Sequence, residues 1–140
     1  MVFLENLLYA AFRYLPFWVT KTVFGLTNNG KIREIACKSL RNRDIEIIEG
    51  VGRGLRIKIG SSNSDYALGK NELPVQKAFL NYVKLNDVVY DIGANIGFFT
   101  IIAAKLVGPG GHVYAFEPIS ENINKLRHNI NINKFLNVTV

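Results

Sequence analysis

The feature that most restricts the fold of this chain is a short run, residues 88–92, that is apolar except for Asp91 and leads directly into a glycine-containing turn. The turn, residues 91–97, reads DIGANIG, and its two glycines stand on either side of a sharp bend. Glycine permits a positive φ and the close approach of another group. A helical pattern over residues 98–106 follows and ends at a GPGG sequence. These residues predict a buried parallel strand that bends into a helix.

The same alternation continues downstream. Residues 113–116 predict a second strand, residues 121–133 a helix with Ser120 as its cap, and residues 137–140 a third strand. Strands that alternate with helices indicate a parallel sheet with right-handed crossovers. The predicted fold class is therefore α/β and Rossmann-like.

The residues before this unit follow a different pattern. Residues 45–49 and 55–59 read as the two strands of a β-hairpin, because apolar and charged residues alternate on the second strand. Residues 72–85 predict a helix with Asn71 as its N-cap and Pro74 in its first turn. The predicted apolar stripe of this helix consists of Val75, Ala78, Phe79, Tyr82 and Val83.

The N-terminal residues are apolar but do not read as a membrane span. Charged residues and Pro16 interrupt residues 2–26 before the ~18 uncharged residues of a span are reached. We expect a helix pair, broken near Pro16, that packs on the domain or lies on a membrane surface. The chain then divides into a helical and hairpin region, residues 1–60, and an α/β domain, residues 61–140. Residues 1–60 hold ten Lys or Arg against five Asp or Glu, which reads as a solvated basic surface, and no nucleic acid partner is expected.

Two acidic residues stand where strands of the predicted sheet end, and open α/β sheets bind ligands beyond the carboxyl ends of their strands. Asp91 closes the first strand. Glu117 closes the second, where a carboxylate can bind the hydroxyls of an adenosine ribose. A carboxylate beside the turn repels a pyrophosphate but suits an ammonium and a sulfonium, and the sequence has no GxGxxG pattern. S-adenosylmethionine (SAM) is thus favoured over a nicotinamide cofactor. In the alternative, the glycines only allow tight packing and Glu117 caps the next helix.

At these residues the sequence resembles the FkbM-like family of SAM-dependent methyltransferases. The resemblance rests on residues 88–100 (VVYDIGANIGFFT), residues 113–118 (VYAFEP) and the NININ sequence at residues 129–133. It implies the N-terminal half of a class I methyltransferase domain, SAM as the cofactor, and O-methylation of a hydroxyl on a sugar, a glycolipid or a secondary metabolite. The cofactor-binding residues that it implies are Glu72, Asp91, Gly93, Ala94, Asn95, Gly97 and Glu117.

The sequence departs from this family in its number of strands. The family fold has seven strands, of which three are visible here, and the acidic segment that follows its fourth strand is absent. On the family's strand order the strand at residues 88–92 is an exposed edge, which is an aggregation liability. We therefore expect an N-terminal fragment or a truncated reading frame. The alternative function is that of a truncated, non-catalytic fragment that only resembles a SAM-binding domain.

The catalytic residues are unknown from the sequence, and no metal site is predicted. Methyl transfer to an alcohol needs a base, but we expect His112 at the wrong end of its strand and His128 on a helix surface. Asp65 and Tyr66 lie in a loop near the site, where ordinary loop chemistry is the simpler interpretation. We expect a cytoplasmic protein, with peripheral membrane contact through the apolar N-terminus as a further option, and a small-molecule or glycan acceptor.

Overall fold

The computed structural model describes residues 43–61 and 65–140, in which a hairpin precedes a parallel sheet whose strands alternate with helices. The elements are β1 (Ile45–Glu46), β2 (Arg56–Ile57), α1 (Asp65–Leu68), α2 (Leu73–Tyr82), β3 (Val88–Ile92), α3 (Phe98–Val107), β4 (His112–Phe116), α4 (Ser120–Ile132) and β5 (Val138–Thr139). The predicted α/β class is confirmed, and the arrangement is that of a partial Rossmann-like fold.

The parallel sheet has the strand order β3-β4-β5, so β3 is an edge strand within the described part of the chain. It pairs in parallel with β4 along its full length, and β4 pairs in parallel with β5. The expectation that β3 is buried is wrong for one of its faces, since Tyr90 is 64% exposed and Ile92 is 75% exposed. Helix α3 contacts β3 and β4, and it covers only the face on which Val113 and Ala115 are buried.

The predicted hairpin is confirmed, with a shorter hydrogen-bonded ladder than expected. β1 and β2 are antiparallel over two residue pairs, and the N–H of Gly54 donates to the carbonyl of Ile47 across the turn. A two-stranded ribbon of this kind is marginal by itself in water. Here Ile47, Ile57 and Ile59 are buried in one core together with Ile101 on α3 and other residues of α3 and α4. The hairpin is therefore stabilised by its packing against the α/β unit.

Asn129 in α4 and Asn133 at its C-cap pair with the hairpin as a neighbouring strand would. The Asn133 side chain accepts the N–H of Arg56 at 2.8 Å and donates to its carbonyl at 2.6 Å. One turn earlier, the Asn129 oxygen accepts the N–H of Lys58 at 2.7 Å. The Asn129 amide nitrogen donates to the carbonyls of Lys58 and Ile96. Residues four apart on a helix lie on the same side, so one face of α4 supplies hydrogen-bond partners to the backbone of the hairpin at Arg56 and Lys58.

Helix α2 departs from its prediction at its ends and on its buried face. Its N-cap is Glu72, with φ 46°, and not Asn71, and the helix ends three residues earlier than predicted. The predicted apolar stripe is wrong at Tyr82, which is 79% exposed, and it did not include Gln76, which is buried. The Gln76 amide donates to two carbonyls of the preceding turn and accepts the N–H of Val51. The Gln76 side chain thus joins the loop at Val51 to the turn before α2, and these bonds set the orientation of the helix.

Some predictions fall outside the described ranges. Residues 2–26, with the predicted break at Pro16, are among them, and the boundary between regions at residue 60 stays a prediction. Over residues 43–61 and 65–140, no helix is long and apolar enough to cross a membrane.

The bridge formed by Asn129 gives a stability prediction. Asn129→Ala leaves backbone groups of Lys58 and Ile96 without partners, and each buried unpaired group costs about 1–3 kcal/mol. We expect the free energy of unfolding, measured by urea titration, to fall by about 2–4 kcal/mol. Asn131→Ala makes the same change at an exposed position of α4 and should alter it by less than about 0.5 kcal/mol. Equal losses in the two variants would contradict the bridging role.

Candidate functional site

A cavity of about 530 Å³ opens at the carboxyl end of β3, beside the turn of residues 93–97. A volume of this size is typical of small-molecule sites. The polar residues that line it include Tyr66, Glu72, Asp91 and Asn95, and the apolar wall includes Val75, Phe79, Phe98 and Phe99. The cavity therefore brings two carboxylates together with an aromatic surface.

Asp91, the next-to-last residue of β3, reaches this cavity with a half-buried side chain. Its Oδ2 accepts a hydrogen bond from the hydroxyl of Thr100, 2.5 Å away in the first turn of α3. Burial raises the pKa of Asp91, and the hydrogen bond from Thr100 acts in the opposite direction. The ionised form of Asp91 is thus disfavoured by loss of water, and a positively charged ligand would offset that cost.

Glu72 and Tyr66 supply further polar groups to the same cavity. Glu72 is exposed at the start of α2, and the Tyr66 ring packs on Phe98 with 5.1 Å between the ring centroids. Burial raises the pKa of the Tyr66 hydroxyl, and the negative charge of Glu72 raises it further by a smaller amount. Tyr66 therefore keeps its proton at neutral pH and is suited to donate a hydrogen bond rather than to act as a base.

The turn after β3 is fastened to the end of β4. The N–H groups of Gly93 and Ala94 donate to the carbonyl of Phe116 at 2.9 and 3.0 Å, and the N–H of Asn95 donates to Glu117 Oε2 at 2.8 Å. Asn95 has φ 51°, a conformation that Asn adopts more readily than most residues. Three N–H groups of the turn are thus already used in hydrogen bonds within the chain.

The two glycines of the turn have different surroundings although both have positive φ, 84° at Gly93 and 88° at Gly97. A Cβ on Gly93 would meet no atom within 4 Å, whereas a Cβ on Gly97 would lie 2.4 Å from Cδ1 of Leu126. Gly93 therefore faces open space where a ligand can approach. Gly97 allows α4 to pack against the turn.

Glu117 is held by several donors. Its Oε1 accepts the N–H of Ile119 at 2.9 Å and the amide of Asn122 at 3.3 Å. The bond from Ile119, with those from Asn95 and Asn122, lowers the pKa of Glu117. Ile119 is the N-cap of α4, so the prediction of Ser120 as the cap is wrong, and the Glu117 carboxylate accepts the N–H of this N-cap residue. Each carboxylate oxygen can still accept a further bond, and ribose binding by Glu117 stays a prediction.

Most residues predicted for the cofactor come together at this cavity. Those that line it are Glu72, Asp91, Gly93, Ala94 and Asn95, whereas Gly97 and Glu117 support the turn from outside the lining. The apolar wall was not predicted as part of the site, because Phe79 has the spacing of a core residue. Thr100 was also missed. The signal that could have found it is its place in the first helical turn after Gly97.

Neither histidine that was weighed as a base lies at the cavity. His112 Nε2 is 2.9 Å from the Thr139 hydroxyl, and His128 Nε2 is 2.6 Å from the carboxylate of Asp44. Both therefore join elements of the fold. Within the described ranges, no group of three or more His, Cys, Asp or Glu side chains could hold a metal ion.

These features define a partial Rossmann-like domain with a ligand cavity at its first parallel strand. Residues 91–138 match the family model described as Methyltransferase FkbM domain. The predicted resemblance to this family is thereby confirmed over those residues, and SAM is the cofactor that the family implies.

Individual proteins show similarities of the same kind. A protein-L-isoaspartate O-methyltransferase from Methanothrix thermoacetophila is 36% identical over 52 residues, which are 37% of this chain and 25% of that protein. A protein of the same name from Ignicoccus hospitalis is 36% identical over 58 residues, 41% of this chain and 28% of that protein. The chain thus spans about a quarter of the length of these curated relatives. A crystal structure of a SAM dependent methyltransferase from Aquifex aeolicus aligns with TM-score 0.42 and 33% identity, over 48% of this chain and 35% of that one.

Alanine at each glycine of the turn separates their roles. The penalty for a side chain at positive φ is shared by both variants, but only Gly97→Ala also forces a methyl group into Leu126. We expect Gly97→Ala to lower the free energy of unfolding by about 1–3 kcal/mol more than Gly93→Ala. Denaturant titration of the two variants measures the difference. Equal destabilisation would show that the contact with Leu126 is relaxed at no cost.

Proposed function

We propose that this chain binds SAM in the cavity at the end of β3 and belongs to an enzyme that methylates a hydroxyl oxygen. The acceptor class that we propose is a sugar, a glycolipid or a secondary metabolite. The observation that carries the proposal is the pair of carboxylates, Glu72 and Asp91, in one cavity beside the open position at Gly93. Asp91 is the first residue of the segment that matches a methyltransferase family, and Glu72 precedes that segment in the chain.

The charges of the cavity support this choice of cofactor. SAM carries an ammonium and a sulfonium in its methionine part, and both favour nearby carboxylates. Asp91 is half-buried, so its attraction for a cation is screened less than that of a surface group. The aromatic wall, which includes Phe79 and Phe99, adds a surface suited to a sulfonium or to the apolar parts of the ligand.

The same features argue against a dinucleotide cofactor. A pyrophosphate beside Glu72 and Asp91 would be repelled by both carboxylates. Dinucleotide sites also use the N–H groups of the glycine turn, and here those of residues 93–95 are bonded to the end of β4. A nicotinamide cofactor would lose the contacts that it normally relies on.

When bound, SAM supplies a methyl group that is activated for transfer to a nucleophile. Asp91 and Glu72 would hold the methionine part, and the Tyr66 hydroxyl, protonated at neutral pH, could donate a hydrogen bond to the acceptor. Orientation of the acceptor in line with the methyl group is the main contribution expected of the protein. The two curated relatives are named as O-methyltransferases, which supports an oxygen acceptor.

Calorimetric titration of the full chain with SAM and with NADH tests the cofactor. We expect SAM to bind with a Kd on the order of micromolar and NADH to give no binding heat. Because burial raises the pKa of Asp91, the affinity for SAM should fall as the pH is lowered through that pKa and the carboxylate becomes neutral. No binding of either ligand would favour the non-catalytic alternative, and a preference for NADH would overturn the choice of cofactor.

Variants that remove one charge test the two carboxylates. Asp91→Asn and Glu72→Gln keep the shape of each side chain, and a hydrogen bond to a charged group is worth about 1.5–3 kcal/mol, so we expect each to weaken SAM binding about tenfold or more. Glu121→Gln is the matched control, because it removes an exposed carboxylate paired with Lys125 on α4. It should leave the affinity unchanged. Equal affinities in all three variants would remove both carboxylates from the site.

A further inference from the structure

The first turn of α3 contains a hydroxyl that is completely buried and has one polar partner. Thr100 is 0% exposed, and its Oγ1 donates to Oδ2 of Asp91, nine residues earlier in the chain. A buried hydroxyl without a hydrogen-bond partner costs free energy. The bond to Asp91 offsets that cost and allows the Thr100 side chain to be buried. The bond also closes the turn of residues 93–97, because it joins the strand before the turn to the helix after it.

We propose that Thr100 is a positioning residue for cofactor binding, which holds Oδ2 of Asp91 so that Oδ1 remains as the acceptor for a cationic group of SAM. This inference rests on the proposed function and goes beyond it, because no resemblance or comparison given above assigns a role to Thr100. A carboxylate on a flexible side chain would have to be ordered when the ligand binds. A carboxylate held by one oxygen is already ordered.

The hydroxyl also affects the charge of Asp91. Thr100 donates its proton to Asp91, and a hydrogen bond donated to a carboxylate favours the ionised form. The other titratable side chains at the cavity are Tyr66, Glu72 and Tyr90, and Glu117 lies at the end of the neighbouring strand. None of these is a cation in the physiological range of pH. When the hydroxyl is removed, burial should therefore raise the pKa of Asp91 without a hydrogen bond from Thr100 to lower it.

A pair of substitutions separates the hydroxyl from the packing of the side chain. Thr100→Val keeps the shape and removes the hydroxyl, whereas Thr100→Ser keeps the hydroxyl and removes a methyl group. We expect Thr100→Val to weaken SAM binding about tenfold, with a loss that grows as the pH is lowered from neutral to mildly acidic. Thr100→Ser should keep most of the affinity of wild type for SAM. The NMR titration of the Asp91 side-chain carbon, in protein without ligand, should show a higher pKa in Thr100→Val than in wild type or in Thr100→Ser.

The outcomes distinguish this inference from the proposed function. If wild type binds SAM and the valine and serine variants bind it equally well at every pH, the role of Thr100 is refuted and the cofactor assignment stands. If both variants lose affinity in proportion to lost thermal stability, with no change in the Asp91 titration, Thr100 has only a structural role and the inference is overturned. If wild type does not bind SAM, both the proposed function and this inference fail, whatever the titration shows.

Discussion

The hydrogen bonds of the Asn129 amide connect the hairpin to the turn that forms the cavity. The amide oxygen holds the N–H of Lys58, and the amide nitrogen reaches the carbonyls of Lys58 and Ile96. Because Ile96 lies within the turn, one buried side chain bonds both to the backbone directly after β2 and to the turn beside the cavity. A short ribbon has little stability of its own, so its attachment to α4 and the ordering of the turn depend on the same interaction.

The elements after residue 88 could be predicted from the sequence because each carries a strong local pattern. Helix α3 was predicted over residues 98–106 and ends one residue later. The errors at α2 and α4 lie where a polar side chain bonds to a backbone group that periodicity does not indicate, as Gln76 does with Val51 and Glu117 does with Ile119. Periodicity records which residues avoid water, and it carries no information about which polar group will find a partner elsewhere in the chain.

The site could be predicted at its centre and not at its walls. The rule that ligands bind beyond the carboxyl ends of parallel strands led to Asp91 and the turn. The aromatic wall was missed, because the spacing of Phe79 and Phe99 is the same whether they face a core or a cavity. The exposed face of β3 was missed for a related reason. An apolar strand such as residues 88–92 indicates burial on two faces, but the elements that cover each face are set by the tertiary arrangement.

The cavity concentrates features that oppose folding. Asp91 has lost part of its hydration, and Gly93 and Asn95 take positive φ. Such features persist only where the surrounding structure determines them. Here the N–H bonds from the turn to β4 and the Asn129 bridge fix the backbone, and the Thr100 hydroxyl fixes the carboxylate. A cation that enters this cavity would restore to Asp91 the stabilisation that it lost with its water, and binding would then stabilise the fold that creates the site.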